Sequence, residues 1–211
     1  MGRDLDESHV VPSNSSINRN TSNADINILE GPGTMYVRWG RSSCPTSAEL
    51  VYQGVIGGEY YTNSGGGSNY QCLPLDPIWD QPSSGKCDAC AKMWGSEYQS
   101  DLYPPFSHLF QHDSVCAVCL VNSRSRVLMV PARNQCPSIE WTREYYGYLM
   151  AENFNHQRSE FICVDRYAEV RPGSVDNDNG ALLYNVEARC GSLPCGPYID
   201  GYELTCAVCT I

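Results

Sequence analysis

From Tyr36 onward the chain is built of short apolar runs, broken every few positions by Gly, Pro, Asn and Ser. Val37 and Trp39 alternate with Arg38 and Gly40. Leu50-Val51-Tyr52, Arg126 to Val130, Phe161 to Val164 and Leu182 to Val186 are β-branched or aromatic runs of strand length. Fourteen tyrosines strengthen the reading, because aromatic rings suit a half-buried pleated face. No long segment keeps a helical period. Trp141 to Glu152 comes nearest and predicts a helical turn or two. Gly65-Gly66-Gly67, Pro172-Gly173 and Asp176 to Gly180 mark turns. Residues 1–33 are rich in Asn, Ser and Asp, lack apolar periodicity, and predict a mobile polar leader. The pattern predicts an all-β fold.

Twelve cysteines divide this β chain into two sets of six. Cys44-Pro45 recurs as Cys136-Pro137, Cys72 as Cys163, and Cys116-Ala117-Val118-Cys119 as Cys206-Ala207-Val208-Cys209, at offsets of 90 to 92 residues. The text between them also repeats: Leu50 to Gly54 answers Glu144 to Tyr148, and Asn69 to Cys72 answers Glu160 to Cys163. Only the middle pair drifts, Cys87/Cys90 against Cys190/Cys195. Two tandem pseudo-repeats, residues 34–123 and 124–211, are expected to form small disulfide-rich β units of one compact body. The linker between Cys119 and Cys136 itself reads largely as strand, which argues against separate beads. Three C-x-x-C-type pairs also admit a zinc reading, but it leaves Cys44, Cys72, Cys136 and Cys163 without a role. An even count at repeating spacings favours disulfides and an oxidising compartment.

Charge narrows the partners. With 24 Asp+Glu against 14 Lys+Arg, the chain lacks the basic surface that nucleic acid or an anionic membrane requires. No apolar run reaches membrane-spanning length, and no signal peptide precedes the polar leader, so secretion is expected from a signal outside this chain. The sequons at Asn14 and Asn20 lie in that leader, where glycans would be exposed.

The order of Cys-Pro, aromatic-Gly, a single Cys, a middle Cys pair and Cys-x-Val-Cys, all in tandem, resembles the C-terminal non-collagenous domain of type IV collagen. It is closer to the terminal domains of sponge short-chain, spongin-type collagens. The matching phrases are Tyr36 to Arg41, Ser68 to Pro74, Val130 to Asn134, Cys190 to Cys195 and Gly201 to Cys209. Gly31-Pro32-Gly33 stands where a last Gly-X-Y triplet would end, although the leader has no glycine at every third position. The resemblance implies nested pairing: Cys44–Cys119, Cys72–Cys116 and Cys87–Cys90, then Cys136–Cys209, Cys163–Cys206 and Cys190–Cys195. It also implies an extracellular-matrix assembly module that self-associates as a homotrimer, with other matrix proteins or glycans as further partners.

Repeat one carries an apolar segment, Ala91 to Val115, that repeat two shortens to Gly196–Thr205. Either it docks on the sister repeat or it faces a partner. Trp94, Tyr103, Phe106 and Phe110 are the residues expected at an oligomer contact, in a segment the fold itself would not need. The alternative function is glycan recognition, with Tyr60, Tyr61 and Tyr70 around Gly65–Gly67 as stacking faces or, more blandly, as core. Enzyme chemistry finds no support. His108 and His112 lack the Glu of a zinc protease motif, and His9 and His156 stand alone. Asp176, Asp178 and Glu187 imitate a Ca²⁺ loop, but Ala181 replaces its required glycine. No cofactor, catalytic residue or metal site is expected.

Overall fold

The computed structural model describes residues 32–83 and 85–211; His9, Asn14, Asn20 and nearly all of the polar leader lie outside them. Ten strands follow one another: β1 Thr34–Trp39, β2 Glu49–Gly58, β3 Gln71–Pro74, β4 Trp94–Tyr98, β5 Val115–Val121, β6 Val127–Pro131, β7 Thr142–Ala151, β8 Ile162–Asp165, β9 Ala181–Asn185 and β10 Thr205–Thr210. They join one sheet in the order β6-β10-β7-β8-β1-β5-β2-β4-β9, with β3 on β2 and a further β7–β9 pairing. The one helical piece among the described residues is a 3₁₀ turn, Ser107–Leu109. The all-β class read from the apolar runs is what the chain adopts.

All twelve cysteines are paired, in the nested pattern that the resemblance implied. Strand geometry explains how one short strand carries two such bonds. Successive side chains alternate faces, so residues three apart point to opposite sides. Cys116 accordingly joins the core around Ile56, Tyr98 and Phe106, while Cys119 joins the core around Tyr36, Tyr145 and Val208. Both faces of β5 are buried.

Strand pairing follows the same register around both Cys-Ala-Val-Cys strands. Gly54 of β2 lies opposite Cys116, and Gly147 of β7 lies opposite Cys206. Trp39 faces Cys116 as Pro131 faces Cys206. A bulge falls at Val51 in β2 and at Glu144 in β7. This corrects the residue matching read from sequence by one position, since Gly54 corresponds to Gly147 rather than to Tyr148. It also corrects the helical expectation for Trp141–Glu152, which is strand β7. Every position from Glu144 to Ala151 is buried or half-buried, so the strand lacks the alternation of a one-sided strand, and the bulge at Glu144 interrupts its period further.

The apolar segment is part of the fold, against the expectation that the fold could dispense with it. Its β4 pairs with β2 and β9, and its Phe106 and Leu109 are fully buried. Tyr103 and Phe106 stack edge-on against Tyr148, at 5.0 and 5.5 Å between ring centres. The segment therefore docks on residues of the second half.

Polar contacts reinforce that seam. Arg38 of β1 reaches buried Asp165 of β8 through two guanidinium nitrogens, at 2.8 and 2.7 Å. The Tyr145 hydroxyl lies 3.0 Å from the Val37 carbonyl oxygen and 2.9 Å from that of Cys163. Glu144 accepts from Tyr36, Ser47, Arg124 and Thr210.

Gly54 and Gly147 each sit where a neighbouring strand crosses closely: an added Cβ would lie 1.9 Å from the Leu73 oxygen and 1.8 Å from the Val164 oxygen. Gly147→Ala and Gly54→Ala should each cost roughly 2–4 kcal/mol, because the backbone must move to admit a methyl group. Gly95→Ala meets nothing within 4 Å and should change stability little. Urea unfolding of the three variants checks the contrast.

Candidate functional site

The two parallel strands β4 and β9 pair from Ser96 with Ala181 to Tyr98 with Leu183, and Gln99 closes the ladder with an N–H bond to the Leu183 carbonyl at 2.9 Å. Beyond that point they part. Between them opens a cleft of about 890 Å³, walled by Leu102, Tyr103, Phe154 and Phe161. Leu102 and Phe154 are 91 % and 97 % exposed, which is costly for side chains of that size on a free surface.

The polar groups of the cleft are incompletely paired. Ser100 is 3 % exposed and its Oγ has no hydrogen-bond partner among the described residues. Neither the oxygen nor the nitrogen of the Asn185 side-chain amide has one, though both are buried. Such groups typically cost 1–3 kcal/mol each when unmet. Glu187 and Glu203 face one another across an antiparallel bridge, and both line the cleft. Like charges directly opposite are destabilising. Arg189 approaches Glu187 only at 3.9 Å and is itself 71 % exposed. Neither Asp101 nor Glu203 forms an ion pair among the described residues. The negative field reaches the wall: Tyr184 is held above its ordinary pKa by burial, then by the carboxylates of Glu152 and Asp101.

Main-chain groups complete the description. Val186 donates to Leu149 and accepts from Leu204, and Ala188 donates to Tyr202. Alternate residues of a strand present their main chain to opposite edges, so Asn185 and Glu187 present theirs toward the cleft. The arrangement offers an extended chain hydrogen-bonding groups, carboxylates and apolar walls together.

The residues anticipated from sequence divide between surface and core. Trp94, 40 % exposed, stacks on Tyr60 with ring centres 4.9 Å apart, and Tyr61 continues the stack to His156. Tyr103 lines the cleft and Phe110 is half-buried. Phe106 is a correction: with no exposure, it is core and offers no contact surface. Tyr70 is likewise core, its hydroxyl bonded to the Leu182 carbonyl at 2.8 Å, which leaves Tyr60 and Tyr61 as aromatic faces of a smaller cleft beside Gly65–Gly67. Asp176 to Gly180 forms a turn, with Glu187 committed elsewhere. No group of three or more metal-ligating side chains occurs among the described residues, and no helix among them is long and apolar enough to cross a membrane. Ser100, Asn185 and Glu203 carried no signal in sequence, because orphaned groups and facing charges exist only once strands are registered. No protein-family model matches the chain, and no curated protein matches it.

Two substitutions probe the buried polar groups of β4 and the segment just after it. Ser100→Ala should raise the stability of the isolated chain by about 1 kcal/mol in urea unfolding, since it deletes an unmet hydroxyl. Glu97, 2 % exposed, has its pKa raised by burial against the bonds it accepts from Asn179 and Gln99. A raised carboxylate pKa favours the protonated form in the fold. Its stabilising contribution is thus present at acid pH and lost as pH rises through the folded value. Glu97→Gln should therefore be more stable than the parent at neutral pH, with the advantage vanishing as pH falls through the ordinary carboxylate range. Thermal melts across pH 3–8 check the crossing.

Proposed function

We propose that the chain is a secreted structural module that assembles with copies of itself, in the manner of the collagen terminal domains it resembles. The observation that carries this reading is an unequal use of equivalent edges. Inside the chain, β8 meets β1 at Val164 and Trp39. By register, Leu73 of β3 corresponds to Val164, and Pro131 of β6 corresponds to Trp39. Among the described residues these two edges have no such strand partner, and Val127 and Leu128 of β6 are each 39 % exposed. Joining β3 of one copy to β6 of the next would set the two equivalent strands side by side as at the internal junction, with Pro131, which has no N–H, contributing only its carbonyl. A repeated head-to-tail contact closes into a ring when its rotation permits, and the resemblance sets the ring at three chains.

The cleft supplies the second contact. Trp94 and Tyr184 occupy the same place opposite β2 and β7, as do Gly95 and Asn185. Carrying the β4–β9 register across, the pairing of Glu97 with Leu182 becomes one of Glu187 with Lys92 of a neighbouring copy. That places a cation between Glu187 and Glu203, and a strand beside Asn185. A strand added at an open edge gains main-chain hydrogen bonds, and the charges fix its register.

Six disulfides and the absence of a membrane-spanning helix among the described residues are consistent with an extracellular setting. The glycan alternative draws its support from Tyr60, Tyr61 and the Gly65–Gly67 loop, and a glycan array tests it separately.

Light scattering at micromolar concentration should give three times the 23.4 kDa chain mass; a particle of one chain overturns the reading. Lys92→Glu should weaken assembly roughly tenfold, by setting a third carboxylate against two. Adding Glu187→Lys to Lys92→Glu should restore much of it, an outcome that general destabilisation does not produce.

A further inference from the structure

The chain contains only two lysines, Lys86 and Lys92, and both flank one disulfide: Lys86-Cys87-Asp88-Ala89-Cys90-Ala91-Lys92. All other basic residues are arginines, several of them held against carboxylates in the body of the fold. Cys87–Cys90 also differs from the four bonds that build the cores. Cys116, Cys119, Cys206 and Cys209 are fully buried, whereas Cys87 and Cys90 are both exposed. The surrounding segment, 75–93, is exposed at every described position and makes no main-chain hydrogen bond to the rest of the body among the described residues. Ile78 and Trp79, 97 % and 75 % exposed, lie on the same segment. The bond closes a loop with a sequence separation of 3, against 75 and 44 for its two companions, so it contributes least to restricting the unfolded chain.

An accessible disulfide outside both cores, flanked by the chain's only two lysines, has the attributes of a thiol-exchange site. We propose that Cys87–Cys90 is a site of covalent coupling to an external thiol. The attacking thiolate bonds to the Cys90 sulfur, the Cys87–Cys90 bond breaks, and its electron pair leaves with Cys87 as a thiolate beside Lys86. One disulfide is consumed and one formed, so the step needs no oxidant. Lys86 promotes it by stabilising the departing charge, against a smaller opposing effect from Asp88. Lys86 adjoins the leaving Cys87 in the chain, whereas Lys92 lies two residues beyond Cys90, so the rate is assigned to Lys86. The exposed Ile78 and Trp79, on the same segment, give a thiol-bearing protein an apolar surface. This inference does not rest on self-assembly, which the mass measurement tests separately.

The test exposes the oxidised 211-residue protein to glutathione, and in a second arm to thioredoxin, with alkylation and peptide mapping at timed intervals. Coupling should begin at Cys87–Cys90 while the ten other cysteines remain paired. Lys86→Gln should slow it about two- to fivefold, the range expected for one exposed charge. The exposed pair Cys190–Cys195 is the internal control, because it carries Arg189 beside the carboxylates of Glu187 and Asp200. Faster reaction with thioredoxin assigns a protein partner, and faster reaction with glutathione a small thiol. Cys87→Ser with Cys90→Ser should abolish coupling without lowering the melting temperature appreciably. Exchange that starts at any other pair, a rate indifferent to Lys86, or collapse of the double serine variant overturns the proposal.

Discussion

A strand cannot present two residues three apart on one face, and much of this structure follows from that constraint. Cys116 and Cys119 are forced to opposite sides of β5, as Cys206 and Cys209 are on β10, so each central strand is clamped from both sides. The clamps close loops with sequence separations of 75 and 44 in one half and 73 and 43 in the other. In the loop-entropy account each is worth roughly 4 kcal/mol, less than additively because they are nested. Both faces of the strand are then committed to cores, and the apolar residues divide into two clusters rather than one. The same constraint bears on the metal-like spacing of the Cys-Ala-Val-Cys strands: their two sulfurs lie on opposite faces and do not converge as the linear sequence suggests.

Much of the fold was legible because strands advertise themselves locally. The runs around Val37, Leu50, Val127, Ile162 and Leu182 all became strands, and their boundaries moved by only a few residues. The failures share a physical cause. At β7 burial on both faces removed the alternation, and the bulge at Glu144 interrupted the period of two further. The equivalence of Gly54 and Gly147 was missed by one residue for a related reason: it is fixed by what lies opposite each glycine, which no single strand displays. Phe106 was read as surface because its segment has no counterpart in the second half, yet the space it fills is bounded by Tyr148, which comes from that half. Long-range neighbours decided each of these.

The middle cysteine pairs drift for a reason visible only in the pairing. Trp94–Tyr98 and Ala181–Asn185 occupy corresponding places against β2 and β7, but Cys87–Cys90 precedes its strand and Cys190–Cys195 follows its own. The short bonds therefore staple the loops on opposite ends of β4 and β9. The cleft beyond Leu183 arises from the same offset: β4 turns away after Tyr98 toward the core around Phe106, while β9 continues along β7. Its unmet amide, hydroxyl and carboxylates had no motif to announce them, since each residue is ordinary by itself.

Glu144 shows what a bulge can be used for. The corresponding bulge in β2 holds Val51, which is 49 % exposed and free of such demands. In β7 the extra residue turns a carboxylate inward to meet donors from β1, from the loop before β2, from Arg124 at the start of the second half and from the last strand. Arg124 pairs with its charge, and each of its two oxygen atoms accepts from two donors. The two cysteine-framed halves, however separable their frames look on paper, thus share one carboxylate: the second half supplies the donors to one of its oxygen atoms, and the first half, through Tyr36 and Ser47, supplies those to the other.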